Sequence, residues 1–302
     1  MGLKLLLAEP DWAVLSKKVK GENDLVDLGE RVGAEILGDA RINSDFLLTL
    51  AYDGTNFFGW QRQNGTPTIQ ACVETALCDI EGQVVTVHGA GRTDAGVHAL
   101  GQVASVRLGH TIEAPSLVRA LNAKLPGDIR VIDAEQVVDN FHARFDACSK
   151  TYRYWLATGP VANPLASRFV WHLRRPIDLA GMQEASSILC GCHDFAAFQT
   201  AADEKAQAST VRTISEIRIR TGSVSTWLSQ MSGPKSECVF VDVVGNGFLR
   251  HMVRSIVGTL VDVGWGRRSV ENVTAVLASC RRECAGPTAP ARGLFLVRVG
   301  YP

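Results

Sequence analysis

Val84-Val85-Thr86-Val87-His88-Gly89-Ala90-Gly91-Arg92-Thr93-Asp94-Ala95-Gly96-Val97-His98 runs from a β-branched stretch into a glycine-rich turn, and Gln102 to Val106 is extended again. Val84 to Val87 and Gln102 to Val106 therefore read as strands on either side of a glycine-rich stretch. The same grammar continues outward. Phe46 to Tyr52 is a strand ending in the turn Asp53-Gly54, and Thr66-Pro67 marks a helix start whose apolar face is Ile69, Cys72, Val73, Ala76, Leu77 and Ile80. Downstream, the pattern predicts a helix over Ser116 to Lys124 and strands over Ile129 to Val138 and Lys150 to Trp155. A second helix–strand series follows, with a helix over Leu179 to Leu189 and strands over Val211 to Arg220 and Glu237 to Val244. Phe248 to Val263 is the longest amphipathic helix, Ser269 caps another that runs to Ser279, and Leu294 to Val299 is the last strand. Strands interleaved with helices and joined mainly by short connections predict α+β layers rather than a doubly wound parallel sheet.

The chain divides into residues 1–45, an acidic extension, a half over 46–149 and a half over 150–302 that carries a surface insertion at about 221–235. At 302 residues it is long enough to bury a core without disulfides or metal. No stretch approaches the roughly 18 apolar residues of a membrane helix, so no membrane partner is expected. The 31 Lys and Arg balance 31 Asp and Glu, which excludes a uniformly basic nucleic-acid coat. That balance is a cancellation: residues 1–45 hold six bases against nine acids, whereas residues 141–175 hold six bases against the single acid Asp146.

The eight cysteines are scattered through apolar segments and are expected as reduced core residues of a cytoplasmic protein. Cys190, Cys192 and His193 form the one Cys/His cluster, but no second pair stands at a tetrahedral spacing, so no metal is expected.

In the loop from Gly89 to Gly96, small residues flank Arg92 and Asp94, so backbone can approach a ligand closely beside one cation and one carboxylate. A structural turn held by a salt bridge has the same spacing, and neither nucleotide-binding glycine signature is present. The basic stretch carries aromatics, in Phe141-His142-Ala143-Arg144-Phe145 and in Lys150-Thr151-Tyr152-Arg153-Tyr154-Trp155. Cations neutralise phosphates and aromatic faces stack on unpaired bases, although solvated strands with inward aromatics also look like this. On a helix beginning at Phe248, Arg250 and Arg254 would share one face. Arg254 stands close to a helix start, where a cation opposes the helix dipole, which hints at a buried carboxylate partner.

Six stretches together resemble the tRNA pseudouridine synthase A family of bacteria: Tyr52 to Gln63, Gly91 to Ala99, Lys150 to Tyr154, Asp194 to Phe198, Gly247 to Arg254 and Gly293 to Val299. They stand in one register over Phe46 to Pro302, while residues 1–45 and 221–235 lie outside the pattern. The resemblance implies the pseudouridine synthase fold, two ferredoxin-like or RRM-like α+β halves with antiparallel and mixed sheets flanking a central basic cleft. It implies an isomerase that converts uridine to pseudouridine in the anticodon stem-loop of tRNA, at tRNA positions 38, 39 and 40, acting as a homodimer without a metal or nucleotide cofactor.

By the same resemblance Asp94 is the nucleophile, Tyr152 packs on the target base and assists proton removal, and Arg254 pairs with Asp94. Arg92, Tyr152, His98 and Arg250 are then the residues that bind the RNA. Burial opposes an ionised aspartate and a nearby arginine favours it, so an Arg254–Asp94 pair suits such a nucleophile. Two other readings stay open: a non-catalytic protein that binds or folds tRNA, and a synthase for a different uridine.

Overall fold

The computed structural model describes residues 44–138, 140–200, 209–222 and 237–302. The extension over residues 1–45 thus lies outside the described residues except at its last two positions, as does the insertion at 221–235 except at its first two. The described residues form an α+β fold around one mixed sheet, and Ser44 and Asp45 already belong to its first strand, as Thr221 does to a later one, so neither the extension nor the insertion reaches as far as expected there.

In chain order the elements are β1 (Ser44–Tyr52), α1 (Ile69–Glu81), β2 (Val87–Gly89), β3 (His98–Leu108), α2 (Ala114–Lys124), β4 (Ile129–Gln136), β5 (Ser149–Thr158), β6 (Trp171–Leu173), α3 (Leu179–Ile188), β7 (Gly191–Asp194), β8 (Val211–Thr221), β9 (Cys238–Gly245), α4 (Met252–Gly264), α5 (Val270–Ser279) and β10 (Leu294–Gly300). The sheet runs β4-β1-β3-β10-β5-β9-β8-β7, with β2 beside β3 and β6 beside β5. Its centre is the seam where the last strand, β10, pairs parallel with β3 and antiparallel with β5. That seam sets the C-terminal end of the chain between the strand that follows the Asp94 loop and the strand that carries Tyr152.

Period-two alternation along β5 separates two apolar layers. Tyr152, Tyr154 and Leu156 join the main core with the buried faces of the helices. Trp155 and Ala157 point the other way, into a smaller cluster with Phe240, Phe295, Ala166 and Val170. Arg153, also on that second face, is held by a two-pronged bond to Asp242 on β9. Burying nearly all of α4 rather than one stripe places this helix deep in the main core.

Four expectations need correction. The helix start falls at Ile69 rather than Thr66, because the first-turn amides of Ile69 and Gln70 donate to the carbonyls of Gly59 and Trp60, and no side-chain cap is used. Val84 to Thr86 lie outside β2, which pairs with β3 only from Val87. The long helix begins at Met252, not Phe248: His251 has a left-handed backbone (φ 61°), so Arg250 precedes the helix and shares no helix face with Arg254. Lastly, among the eight cysteines only Cys238 is buried, and Cys148, Cys192 and Cys280 are exposed. As expected, Ser269 caps α5, its Oγ accepting the Asn272 N–H.

Candidate active site

The loop between β2 and β3 is pinned from several sides. Ala90 N–H donates to Val103 O at 2.7 Å and Trp60 N–H to Thr93 O at 3.0 Å. The Gln102 amide donates to Gly91 O at 2.8 Å, and the Tyr52 hydroxyl lies 2.8 Å from Thr93 Oγ1. Gly59 makes the approach possible: its φ is +85°, and a Cβ there would sit 2.4 Å from Thr93 O. The residues leading into Asp94 are thus fixed, while its carboxylate is 28% exposed.

Two nitrogens approach that carboxylate, both on one oxygen. Arg254 Nη1 and His251 Nε2 each lie 3.4 Å from Asp94 Oδ2. Charge-assisted bonds are usually 2.7–2.9 Å, so the pair balances the charge without a tight clamp. Among the described residues nothing donates a hydrogen bond to Oδ1. Arg254 itself is anchored elsewhere, its Nε donating to Ala289 O at 2.7 Å while Ala289 N–H returns to Arg254 O. His251 is fixed by Thr200, whose Oγ1 is 2.7 Å from Nδ1. Burial holds the His251 imidazole below its ordinary range, as do Arg254, Arg250 and Arg282, against the opposing pull of Asp94. A neutral ring with Nδ1 accepting from Thr200 presents Nε2–H to the carboxylate.

Tyr152 packs edge-on against Phe248 at 5.1 Å between ring centroids. Its hydroxyl lies 3.9 Å from the point where a Cβ on Gly91 would stand, and Lys150 Cε 3.4 Å from it, so the bare Gly91 leaves room for both. Burial raises the Tyr152 phenol well above its usual range, with Tyr52 and Asp94 adding to the shift. The hydroxyl is therefore protonated at neutral pH. Burial also lowers the Lys150 ammonium, and the charge of Arg144 acts in the same direction.

The remaining candidates sit apart from the carboxylate. Arg92 is exposed, and its Nε donates to Gln61 Oε1 at 3.0 Å. Gln61 in turn donates to Gln70, and Gln70 to Glu74, which also receives Arg62. This relay leads from a buried carboxylate to the Arg92 guanidinium. His98 is 1% exposed and stacks on Phe295 at 4.6 Å. Its Nδ1 accepts the Gly54 N–H, leaving Nε2 to donate to Arg168 O, so both nitrogens are engaged within the protein. Arg250 is exposed, and its nearest role at the site is the positive charge it adds beside His251. His193, of the Cys190 and Cys192 cluster, spends Nε2 on the Cys190 carbonyl.

Arg254 and His251 thus meet at Asp94, and the Tyr152 hydroxyl stands beside the loop that carries it. His251 lies within the Gly247 to Arg254 stretch but is not among the residues expected at the site. The apolar pattern places it inside a helix from Phe248, and nothing in that periodicity turns it toward residue 94.

A family model described as tRNA pseudouridine synthase matches residues 49–146 and 185–302. The tRNA pseudouridine synthase A of Moorella thermoacetica is 45% identical over 256 residues, covering 84% of this chain and 98% of the relative. The proteins of that name from Rhodospirillum rubrum and Syntrophotalea carbinolica are 42% and 44% identical, over 85% and 84% of this chain and 87% and 95% of their own lengths.

Proposed function

Because the chain belongs to the tRNA pseudouridine synthase family, we propose that it converts uridine to pseudouridine in the anticodon stem-loop of tRNA, with Asp94 as nucleophile. The observation that carries the role of Asp94 is the asymmetry of its carboxylate. Both nitrogens approach Oδ2, so Oδ1 keeps its lone pairs for an electrophilic carbon of the target nucleotide. The reaction is an isomerisation. The bond from ribose to N1 of the base breaks, one fragment stays covalently on Asp94, and the base turns. C5 then bonds to the ribose, the covalent bond to Asp94 breaks and returns the carboxylate, and the C5 hydrogen leaves as a proton while N1 gains one, so atoms and electrons balance without an outside reagent.

A stacked base is out of reach of a part-buried carboxylate, so it must leave the stack at a cost of a few kcal/mol. Arg92, exposed and oriented through Gln61, sits where it can contact the strand as the base departs. Tyr152 offers a ring edge-locked by Phe248 on which the base packs, and its hydroxyl stands beside the Asp94 loop to relay the C5 proton. Arg254 sets a positive charge 3.4 Å from the carboxylate. His98 and Arg250 serve the same site at one remove, His98 by tying the Asp53-Gly54 turn to β3 and Arg250 by adding positive field. The active form is a homodimer in the cytoplasm with one tRNA lying across both subunits, and the two chain halves meet at residues 149–150.

Recombinant protein incubated with unmodified tRNA should form pseudouridine in the anticodon stem-loop, located by chemical mapping. Asp94→Asn should bind tRNA and leave it unmodified. Wild-type protein that modifies no tRNA, or Asp94→Asn that still does, defeats the proposal. A sedimenting monomer at micromolar concentration defeats the dimer.

A further inference from the structure

Phe141 to Phe145 is a rigid segment that presents rings to solvent. Ala143 is fully buried; its N–H donates to Ser105 Oγ at 3.1 Å and its carbonyl accepts the Tyr301 hydroxyl at 2.7 Å. Phe141 packs inward on Tyr301, with ring centroids 5.1 Å apart. His142 and Phe145 are turned outward by this anchoring, and Phe145 is 74% exposed. A benzyl group held in water on a fixed backbone gains nothing for the fold.

Three rings form a continuous row. His142 lies 4.3 Å from Phe145 and 4.9 Å from His88, centroid to centroid. His88 stands opposite Ser105 in the β2–β3 pairing, so the residue that pins Ala143 also sets the place of His88. His142 Nδ1 accepts the Arg144 N–H, which leaves the ring proton on Nε2 and fixes the ring. The Arg144 guanidinium lies 5.6 Å over the Phe145 ring. Asp146 is the acid nearest in the chain, and its Oδ2 accepts the His142 N–H at 2.7 Å.

The row ends at the Asp94 loop, since His88 directly precedes Gly89. The Lys150 side chain lies against Gly91 of that loop, without a hydrogen bond or ion pair to another described residue. Burial holds its ammonium below the ordinary range, and the charge of Arg144 acts in the same direction.

We propose that His88, His142 and Phe145 form a stacking platform for an unpaired base of the substrate RNA beside the nucleotide that enters the Asp94 loop, with Arg144 and Lys150 receiving the intervening phosphate. The inference rests on the synthase reading for its ligand and adds a second base site to it. Aromatic rings accept any base by its face, and the two cations face an anion that the protein itself does not supply.

The test is equilibrium binding of unmodified tRNA to full-length wild type, Phe145→Ala, Phe145→Leu and Phe145→Trp, with single-turnover pseudouridine formation at saturating protein. Phe145→Ala and Phe145→Leu should weaken binding about 5- to 150-fold, the equivalent of one stacked base. Phe145→Trp should bind within about twofold of wild type, and the saturating rate should hold in all three. Arg144→Gln and Lys150→Gln should each lower the slope of log affinity against log salt by about one. Unchanged binding by Phe145→Ala, or a leucine as good as tryptophan, overturns the platform. A wild type that binds tRNA but forms no pseudouridine defeats the synthase reading alone, and the binding series still decides the platform. A wild type that binds no tRNA overturns both.

Discussion

Arg254 and Asp94 are paired at 3.4 Å, while the shorter bond of the same guanidinium, 2.7 Å, goes to the Ala289 carbonyl. The arginine is thus positioned by the backbone and only leans on the carboxylate. A lysine cannot do both, since its ammonium is one point charge on a flexible stem. Arg254→Lys should therefore lower kcat about 10²- to 10³-fold, the range for losing one preorganised electrostatic partner, with KM changed less than about threefold. Single-turnover modification at saturating tRNA reads this directly. A lysine variant with near-normal kcat would show that charge alone suffices.

Gly59 and Gly65 both have positive φ, +85° and +73°, yet only Gly59 is crowded. A Cβ at Gly65 meets nothing within 4 Å, whereas one at Gly59 meets the backbone of Thr93 and Asp94 at 2.4 and 3.0 Å. Gly65→Ala should cost about 1–2 kcal/mol for the left-handed backbone and leave activity intact. Gly59→Ala should cost more than that and remove most activity, because Thr93 and the carboxylate beside it must move. Denaturant midpoints and modification rates of the pair make the comparison. Equal stability losses with equal activities would mean that the loop yields freely.

Much of this arrangement is legible in the sequence. The alternation of Lys150, Tyr152 and Tyr154 fixes one face of a strand, and the glycines around Asp94 announce a loop that backbone can approach. The start of α4 was not legible. A helical pattern runs back to Phe248, but Phe248 is held edge-on against Tyr152 and His251 adopts a left-handed backbone, so the helix starts later. Long-range partners were invisible for a related reason. Nothing near His251 in the sequence encodes that it lies 3.4 Å from residue 94, because that distance is set by the parallel β3–β10 seam and the packing of α4. Likewise Thr66 looks like a cap, and only the folded loop shows Gly59 and Trp60 carbonyls taking the amides a cap would serve.

Tyr152 separates packing from proton transfer. Burial keeps its phenol protonated, so the hydroxyl acts by donating and accepting in a relay rather than as a preformed phenolate base. Tyr152→Phe should preserve the ring packed on Phe248 and lower kcat by about 10²- to 10⁴-fold, the usual span for an acid–base group, with little change in KM. Tyr152→Ala should raise KM as well. No phenol ionisation should enter the wild-type pH–rate profile between pH 6 and 9. If Tyr152→Phe turns over normally, the hydroxyl has no part in proton transfer.

His98 makes the protein sensitive to acid. Burial lowers its imidazole below the ordinary value of about 6.5, Arg168 adds to this, and Asp53 together with the Arg168 and Arg292 backbone opposes it. The native ring is neutral, with Nδ1 accepting from Gly54, whose Cα side lies against the Val97 carbonyl at the end of the Asp94 loop. The unfolded chain takes up a proton near pH 6.5 while the folded chain does not, so unfolding binds protons and acid favours it. Stability from this residue is complete above about pH 6.5 and is lost as pH falls through the lower folded value. Thermal midpoints should drop on going from pH 7.5 to 5.5, and the drop should be smaller in His98→Gln. His251, also held low, titrates in both proteins and cancels in the difference. Because protonation would release Gly54 from β3, modification activity should fall over the same range in wild type. Parallel pH profiles for the two proteins would place the acid-sensitive contact elsewhere.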